Sequence, residues 1–113
     1  MNISQTYQEK LSSGASKTYK VPAGVVTFKE LSLATQDKPG SSFKAALYWD
    51  ADGKGKTLTK IAQIYTRNKS YRVDLKDVQF ISNGKSEVLL RRHIFGANGP
   101  RETYVRWEGI LNA

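Results

Sequence analysis

Hydrophobic and polar residues alternate with a period of two along most of this chain. The clearest examples are residues 43–49, 71–75, 87–95 and 103–108. Successive side chains of a β-strand point to opposite faces of a sheet, so a period of two is typical of strands with one face toward a core. Each of these segments therefore predicts a half-buried β-strand.

Three segments depart from this simple pattern. In residues 25–34 the apolar positions change parity near Lys29 and Glu30, and one extra residue there, a β-bulge, would reconcile the two halves. Residues 58–66 have isoleucines at a helical spacing, but their β-branched and aromatic content favours a strand. In residues 87–95, Arg92 interrupts an otherwise apolar row.

Clusters of Gly, Pro, Asn and Ser separate these segments, and they recur every 8–12 residues or so. About eight strands at such a spacing predict an all-β protein, namely a single antiparallel β-sandwich in a jelly-roll-like arrangement. Asn83-Gly84 favours a two-residue hairpin, because both central positions of that turn need positive φ.

A second hairpin is expected between residues 89–92 and 103–109. Its strands would bring Arg91 or Arg92 opposite Glu102 or Glu108 as cross-strand ion pairs. Such an arginine-rich sheet face suits a contact with a protein or a glycan, because the guanidinium group offers several donors in one plane.

The first 16 residues do not share the alternation. Ser4 could cap a short helix that runs through Leu11, or the whole segment could be an extended arm, and both readings stay open. The sequence therefore divides into an N-terminal arm, residues 1–16, and a β-sandwich domain, residues 17–113. Ile3, Tyr7 and Leu11 are the candidate assembly residues of that arm. We see neither a signal peptide nor an apolar run long enough to span a membrane.

Positive charge is concentrated in the second part of the sequence. Residues 1–50 carry six Lys and four acidic residues, a balance of +2, and residues 51–113 carry twelve Lys or Arg and six acidic residues, a balance of +6. The total of +8 favours an anionic partner such as nucleic acid or an acidic glycan, although dispersed charge also serves solubility. The candidate binding face contains Lys54, Lys56, Lys60, Arg67, Lys69, Arg72, Arg91, Arg92, Arg101 and Arg106.

Candidate chemistry is sparse. The chain has no cysteine, which excludes disulfides and thiolate sites, and its sole histidine, His93, lies in a predicted strand beside two arginines. Residues 50–55 partly resemble a calcium loop, but Lys54 and Ile61 occupy positions where an EF-hand needs ligands, so a plain hairpin turn is favoured. We predict no catalytic residues, no metal site, no cofactor and no enzyme activity.

Aromatic residues interleave with the cations, as they do in proteins that bind single-stranded nucleic acid. Trp49 and Trp107 share parity with aliphatic neighbours, however, and are therefore expected in the core. Tyr48, Tyr65 and Tyr104 are the rings that a glycan-binding platform would use, provided that they are exposed.

Leu11 and Gly14, followed by Lys-Thr-Tyr-Lys-Val-Pro-Ala-Gly at residues 17–24, resemble the start of small β-sandwich modules of bacteriophage virion proteins. Arg-Trp-Glu-Gly at residues 106–109 suits a last core strand of such a module. The resemblance covers the two ends of the chain. It implies a structural, decoration, tail or receptor-binding component without a cofactor, and it carries over no individual functional residue.

The leading hypothesis is thus a non-enzymatic structural or adhesion module that forms a homo-oligomer or assembles with other virion proteins. Its location would be the virion, after synthesis in a host cytoplasm, and a cytoplasmic location is the alternative. The alternative functions are a nucleic-acid-binding domain that uses the basic second half and a glycan-binding module.

Overall fold

The structure, a computed structural model, describes residues 2–12, 14–35, 43–93 and 102–112. The loops predicted at residues 37–42 and 96–100 lie outside this range, as does Ile94. The strands are β1 (Asn2–Ser12), β2 (Ser16–Lys20), β3 (Gly24–Ala34), β4 (Phe43–Asp50), β5 (Leu58–Thr66), β6 (Ser70–Ser82), β7 (Glu87–Arg92) and β8 (Glu102–Asn112). Within the described ranges no helix is long and apolar enough to cross a membrane.

The eight strands form two four-stranded antiparallel sheets. Sheet A has the order β1-β8-β3-β6, and sheet B has the order β2-β7-β4-β5. Apart from the β4–β5 hairpin, every connection carries the chain from one sheet to the other. Two stacked sheets wound in this way are a jelly roll, which confirms the predicted fold class.

Residues 2–12 form an edge strand of sheet A. Each residue of β1 pairs with a residue of β8, from Asn2 opposite Asn112 to Ser12 opposite Glu102. The extended alternative for this segment is therefore the one present, and the helix through Leu11 was a wrong alternative. The β8 edge offers the backbone of residues 2–12 a complete ladder of hydrogen bonds, which an isolated helix of this length would have to supply alone.

The β-bulge predicted near Lys29 and Glu30 is confirmed. The register of β3 shifts between Phe28 and Glu30 toward both of its neighbours, β6 and β8. The shift lets Val26, Phe28, Leu31 and Leu33 all face the core despite their opposite parities. On β6, Lys76 and Asp77 next to this shift have positive φ angles of 56° and 59°.

Both hairpin predictions outside β4–β5 were wrong. β6 and β7 belong to different sheets, so the turn at Asn83 and Gly84 passes between the sheets, and only Gly84 of the two has positive φ, at 89°. β7 and β8 are also in different sheets, so Arg91 does not lie opposite Glu102 or Glu108. Local turn chemistry does not reveal which sheet a strand joins, since tertiary packing decides it.

The core fills the space between the sheets. It contains Val21, Val26, Phe28, Leu31, Leu33, Ala45, Leu47, Trp49, Ile64, Leu75, Val88, Leu90, Val105 and Trp107. Trp49 and Trp107 are 3% and 4% exposed, so their predicted place in the core is confirmed. The ring of Phe28 lies between them, with ring centroids 6.0 Å from Trp49 and 5.6 Å from Trp107.

Candidate functional site

Each of the two lateral sides of the sandwich is formed by one edge strand from each sheet. We call them the β1/β2 side and the β5/β6 side, after the strands that have a hydrogen-bonded neighbour on one side only within the described residues. Edge strands expose unpaired backbone donors and acceptors, which makes them sites of strand addition and assembly. The side chains on these two sides differ in kind.

The β5/β6 side carries the exposed large hydrophobic residues of the described chain. They are Leu58 and Tyr65 on β5 and Tyr71, Val78 and Ile81 on β6. Ile81 protrudes furthest, with 78% of its surface exposed. Single exposed hydrophobic residues are ordinary, but these five all lie on two adjacent edge strands.

The β1/β2 side contains an apolar pocket instead. Tyr7, Tyr19 and Trp107 form its aromatic wall, with ring centroids 4.6 Å apart for Tyr7 and Trp107 and 4.7 Å apart for Tyr7 and Tyr19. Val21 and Leu111 also line it. Burial, followed by the nearby Glu9 carboxylate, raises the pKa of Tyr19 well above its ordinary value, so this wall stays uncharged.

The candidate assembly residues lie on this same strand β1. Tyr7 is half-buried because its ring packs on Trp107, so it serves the intramolecular core as well as the pocket. Ile3 and Leu11 occupy the positions opposite Leu111 and Thr103 of β8. Their role in assembly remains a prediction.

The ten candidate basic residues do not form one face. Lys54 and Lys56 lie in the β4–β5 turn, Arg67 and Lys69 in the β5–β6 turn, Lys60 and Arg91 in sheet B, Arg72 and Arg106 in sheet A, and Arg101 outside the described residues. Arg92 is buried, with 2% of its surface exposed, on the same side of β7 as Val88 and Leu90. The structure thus removes Arg92 from any outer face, and burial lowers the pKa of its guanidinium.

On the outer face of sheet A, cations lie next to carboxylates. Arg72 Nε is 3.2 Å from Glu30 Oε1, and Lys29 Nζ is 2.5 Å from Asp77 Oδ1. Arg106 Nη2 is also 3.9 Å from Glu108 Oε2. These are exposed pairs between neighbouring strands or along one strand, and they leave little net charge on this face.

The outer face of sheet B holds a group of cations that we call the basic patch: Lys44, Lys60 and Arg91, together with Tyr48 and His93. Arg91 pairs with Ala46 of β4, and its guanidinium lies 5.6 Å from the centroid of the Tyr48 ring. The Tyr48 hydroxyl is 3.3 Å from Nε2 of His93. Tyr48 therefore lies along the strand and links Arg91 to His93.

Two buried apolar side chains lie beneath this arrangement. Ala46 is fully buried and Leu89 is 8% exposed, yet neither belongs to the core between the sheets. Ala46 stands two residues before Tyr48 and opposite Arg91, and Leu89 stands opposite Tyr48. Ala46 and Leu89 thus form a packed layer on the outer face of sheet B, and the side chains of Tyr48 and Arg91 lie over this layer.

His93 reports the local charge. Burial lowers its pKa below the ordinary 6.5, and the positive charges of Lys44, Arg91 and Lys60 lower it further. Within the described residues none of these three cations has a carboxylate partner, and Lys60 Nζ instead donates to Gln63 Oε1 at 2.9 Å. The patch therefore has a positive field that the described residues do not neutralise.

Sequence reasoning placed Lys60 and Arg91 on a binding face but omitted Lys44, Tyr48 and His93 from it. Lys44 is opposite Tyr65 on β5. The backbone N–H of His93 donates to the carbonyl oxygen of Lys44 at 2.9 Å. The polar parity of residues 43–49 pointed to Lys44. Nothing local could have shown that His93 would come to lie beside it.

The loop that partly resembled a calcium site is a turn whose backbone N–H groups donate to one oxygen of each of its two aspartates. Asp50 Oδ2 accepts from the Gly55 N–H at 2.8 Å, and Asp52 Oδ1 accepts from the Lys54 N–H at 2.8 Å. It joins β4 and β5, as the hairpin reading predicted. In the portion of the chain that the structure covers, no group of three or more His, Asp or Glu side chains could hold a metal ion.

No protein-family model matches this chain, and no curated protein matches it in sequence. Solved structures do match its fold. The Drosophila NLP core, described in connection with pentamer formation and histone binding, has a TM-score of 0.54 at 19% identity, with 92% of this chain and 96% of that chain covered. All the matches that we describe have low identity, so they concern the fold alone.

A capsid structure of the Helicobacter pylori bacteriophage KHP30 also has a TM-score of 0.54, at 12% identity, and covers 99% of this chain and 94% of that chain. The C-terminal domain of EclA, a sugar-binding protein, has a TM-score of 0.54 at 15% identity, with 94% of this chain and 78% of that chain covered. The expected resemblance to phage virion sandwich modules is confirmed at the level of the fold.

Proposed function

We propose that this protein is a non-enzymatic assembly module whose copies associate side by side into a closed homo-oligomer. The observation that carries the proposal is the concentration of exposed hydrophobic side chains on the β5/β6 side, with Ile81 the most exposed of them. Burying these side chains against a partner removes apolar surface from water, at roughly 25 cal/mol per Å².

A second copy of the chain is the partner that fits this side. The apolar pocket at Tyr7, Tyr19 and Trp107 lies on the opposite lateral side. Ile81 and the pocket are also at the same end of the strands, because Ile81 pairs with Val25, next to the row in which Val26 pairs with Leu111. Ile81 of one copy can therefore approach the pocket of the next without a shift along the strands.

A contact between two different sides of the same protein is heterologous. Repeated by rotation, such contacts close into a ring or continue as a filament. Two proteins that share the fold support a closed assembly: one is a phage capsid protein, and the other was described together with pentamer formation. A place in a virion, as a shell, decoration or tail component, is the form of assembly that we favour.

The non-enzymatic part of the proposal rests on the surroundings of the sole histidine. A histidine that acts as a general base is usually oriented by a carboxylate. Lys44, Arg91 and Lys60 are the charged groups that act on His93, and all of them disfavour the imidazolium ion that proton abstraction would form. His93 is therefore poorly suited to that role.

Sedimentation velocity tests the assembly. We expect the wild-type protein to sediment as an oligomer and Ile81→Lys to sediment as a monomer, because a lysine ammonium cannot be buried in an apolar pocket without a large cost. Ile81 is exposed, so the substitution leaves the core intact.

Ala34→Lys is the matched control, since Ala34 is exposed on the inner strand β3 and lies at the opposite end of the β3–β6 ladder from Ile81. This variant should sediment like the wild type. A monomeric wild-type protein at high concentration, or an Ile81→Lys variant that stays oligomeric, would contradict the proposal.

A further inference from the structure

We propose that the basic patch on the outer face of sheet B binds the oxyanion of an acidic sugar, with the sugar ring resting against Tyr65. The oxyanion can be a carboxylate, a sulfate or a phosphate. This site is on the outer face of sheet B, whereas Ile81, the residue that the lateral contact uses, is on sheet A; Tyr65 is the one exposed hydrophobic residue of the β5/β6 side that the site includes.

The donors of the site come from three strands. Lys44 is on β4, Lys60 is on β5 and Arg91 is on β7, and His93 directly follows the end of β7. Their side chains share the outer face because Lys44, Ala46 and Tyr48 alternate with the core residues Ala45, Leu47 and Trp49. A rigid central strand thus fixes the position of the patch, and the stacking of Arg91 on Tyr48 restrains the guanidinium before a ligand arrives.

The charge of the patch favours the binding of an anion. The ion pairs Lys29–Asp77, Arg72–Glu30 and Arg106–Glu108 are on sheet A or next to it, and the cations of the patch take part in none of them. Holding like charges close together costs free energy in the unliganded protein. An oxyanion would relieve this repulsion and would gain charge-assisted hydrogen bonds from Arg91 and the lysines.

The extent of the patch limits the size of the anion. Farther along the same face, Asp50 of β4 lies opposite Glu87 of β7 in the strand register. Asp50 is two residues beyond Tyr48. The carboxylates there oppose a polyanion that follows the strands. Two residues along a strand span about 7 Å, so the positive stretch suits one anionic group rather than a run of phosphates.

The exposed ring of Tyr65 points to a sugar. Tyr65 is 61% exposed and lies directly opposite Lys44. An aromatic face beside a cation accommodates the C–H face of a pyranose ring while the lysine contacts its acidic group. Of the three tyrosines expected to form a glycan platform, Tyr65 is the exposed one, whereas Tyr48 and Tyr104 are partly buried.

Because His93 is the sole histidine, its imidazole C–H resonances in proton NMR report on the site without ambiguity. The test titrates pH with and without saturating glucuronic acid, inorganic sulfate or glucose. A bound anion favours imidazolium against the charges of Lys44, Arg91 and Lys60 and the burial beside Tyr48. The pKa of His93 should therefore rise by about half a unit or more with glucuronic acid and sulfate, and should not change with glucose.

Variants assign the effect to the patch. Arg91→Gln should weaken glucuronic acid binding about tenfold, since it removes a charge-assisted donor. Tyr65→Ala should weaken glucuronic acid but leave the sulfate response unchanged. Lys54→Gln, which removes the same charge at the tip of the β4–β5 turn, is the matched control and should bind like the wild type.

The proposal is overturned if neither anion moves the pKa of His93, or if Lys54→Gln weakens binding as much as Arg91→Gln does. Tighter binding of a single-stranded oligonucleotide than of glucuronic acid, with steep salt dependence, would overturn the assignment to an acidic sugar and favour nucleic acid instead.

Discussion

On the outer face of sheet A, Arg72 and Lys29 each lie within hydrogen-bonding distance of a carboxylate from a neighbouring strand. On the outer face of sheet B, Lys44, Lys60 and Arg91 lie near one another and have no carboxylate partner among the described residues. The two sheets have the same number of strands and the same antiparallel architecture. Net charge alone therefore does not locate a site, because a cation matters for binding only where the fold leaves its charge unbalanced.

The two faces also differ in packing, and this difference predicts the largest effect. Ala46 on sheet B is fully buried beneath the level of Tyr48, whereas Ser32 at a central position of sheet A is partly exposed above an open depression. Ala46→Leu should lower the free energy of unfolding by about 1–3 kcal/mol, because the layer has no room for a larger side chain. Urea denaturation at neutral pH measures this change in the free energy of unfolding.

Ser32→Leu is the control on the other face and should change the free energy of unfolding by no more than about 0.5 kcal/mol. Equal effects of the two substitutions would show that the two outer faces are packed equally tightly, and would contradict the packed layer of Ala46 and Leu89.

The second prediction concerns pH and is intermediate in size. The folded protein holds the pKa of His93 below the 6.5 of the unfolded chain, so the unfolded state binds more protons between the two values. Stability is therefore full above pH 6.5 and falls as the pH drops toward the folded pKa. His93→Gln should lose this part of the pH dependence in thermal denaturation between pH 7.5 and 5.5. An identical profile for the variant would mean that burial and the cations of the patch do not lower the pKa of His93 as described.

The smallest effects should come from single charges, and they should differ in sign between the faces. Arg72→Gln removes an exposed ion pair with Glu30 and should lower the free energy of unfolding by about 0.2–1 kcal/mol. Lys44→Gln removes a repulsive charge and should leave stability unchanged or raise it slightly. Urea denaturation at low salt measures the two changes in stability. Both changes should become smaller at high salt, because salt screens interactions between charges. A loss of stability in Lys44→Gln equal to that in Arg72→Gln would contradict the unbalanced patch.

Much of the fold was readable from local patterns. The alternation at residues 43–49 predicted that Leu47 and Trp49 are in the core, and the parity change at Lys29 predicted the bulge. These features are local, because side-chain direction along a strand depends on its own sequence. The pairing of strands is not local, which is why Asn83-Gly84 suggested a hairpin where the chain in fact crosses between the sheets.

The site was only half predictable for the same reason. Lys60 and Arg91 could be named as cations on outward positions, but they are 31 positions apart in the sequence, and only the strand order of sheet B brings both next to β4. Arg92 shows the converse. Its charge suggested an outer face, yet its parity with Val88 and Leu90 places it inside.

The pairing of β1 with β8 has a consequence for folding. Asn2 lies opposite Asn112, so one of the longest ladders in the protein joins segments about as far apart in sequence as this chain allows. A ribosome must release residues 102–112 before β1 has a partner, and until then the aromatic ring of Tyr7 lacks its contact with Trp107. Such remote pairings slow folding to milliseconds or longer. Until residues 102–112 have left the ribosome, the nascent chain therefore holds an unpaired, partly apolar strand, and it depends on late closure of that strand to avoid pairing with another copy.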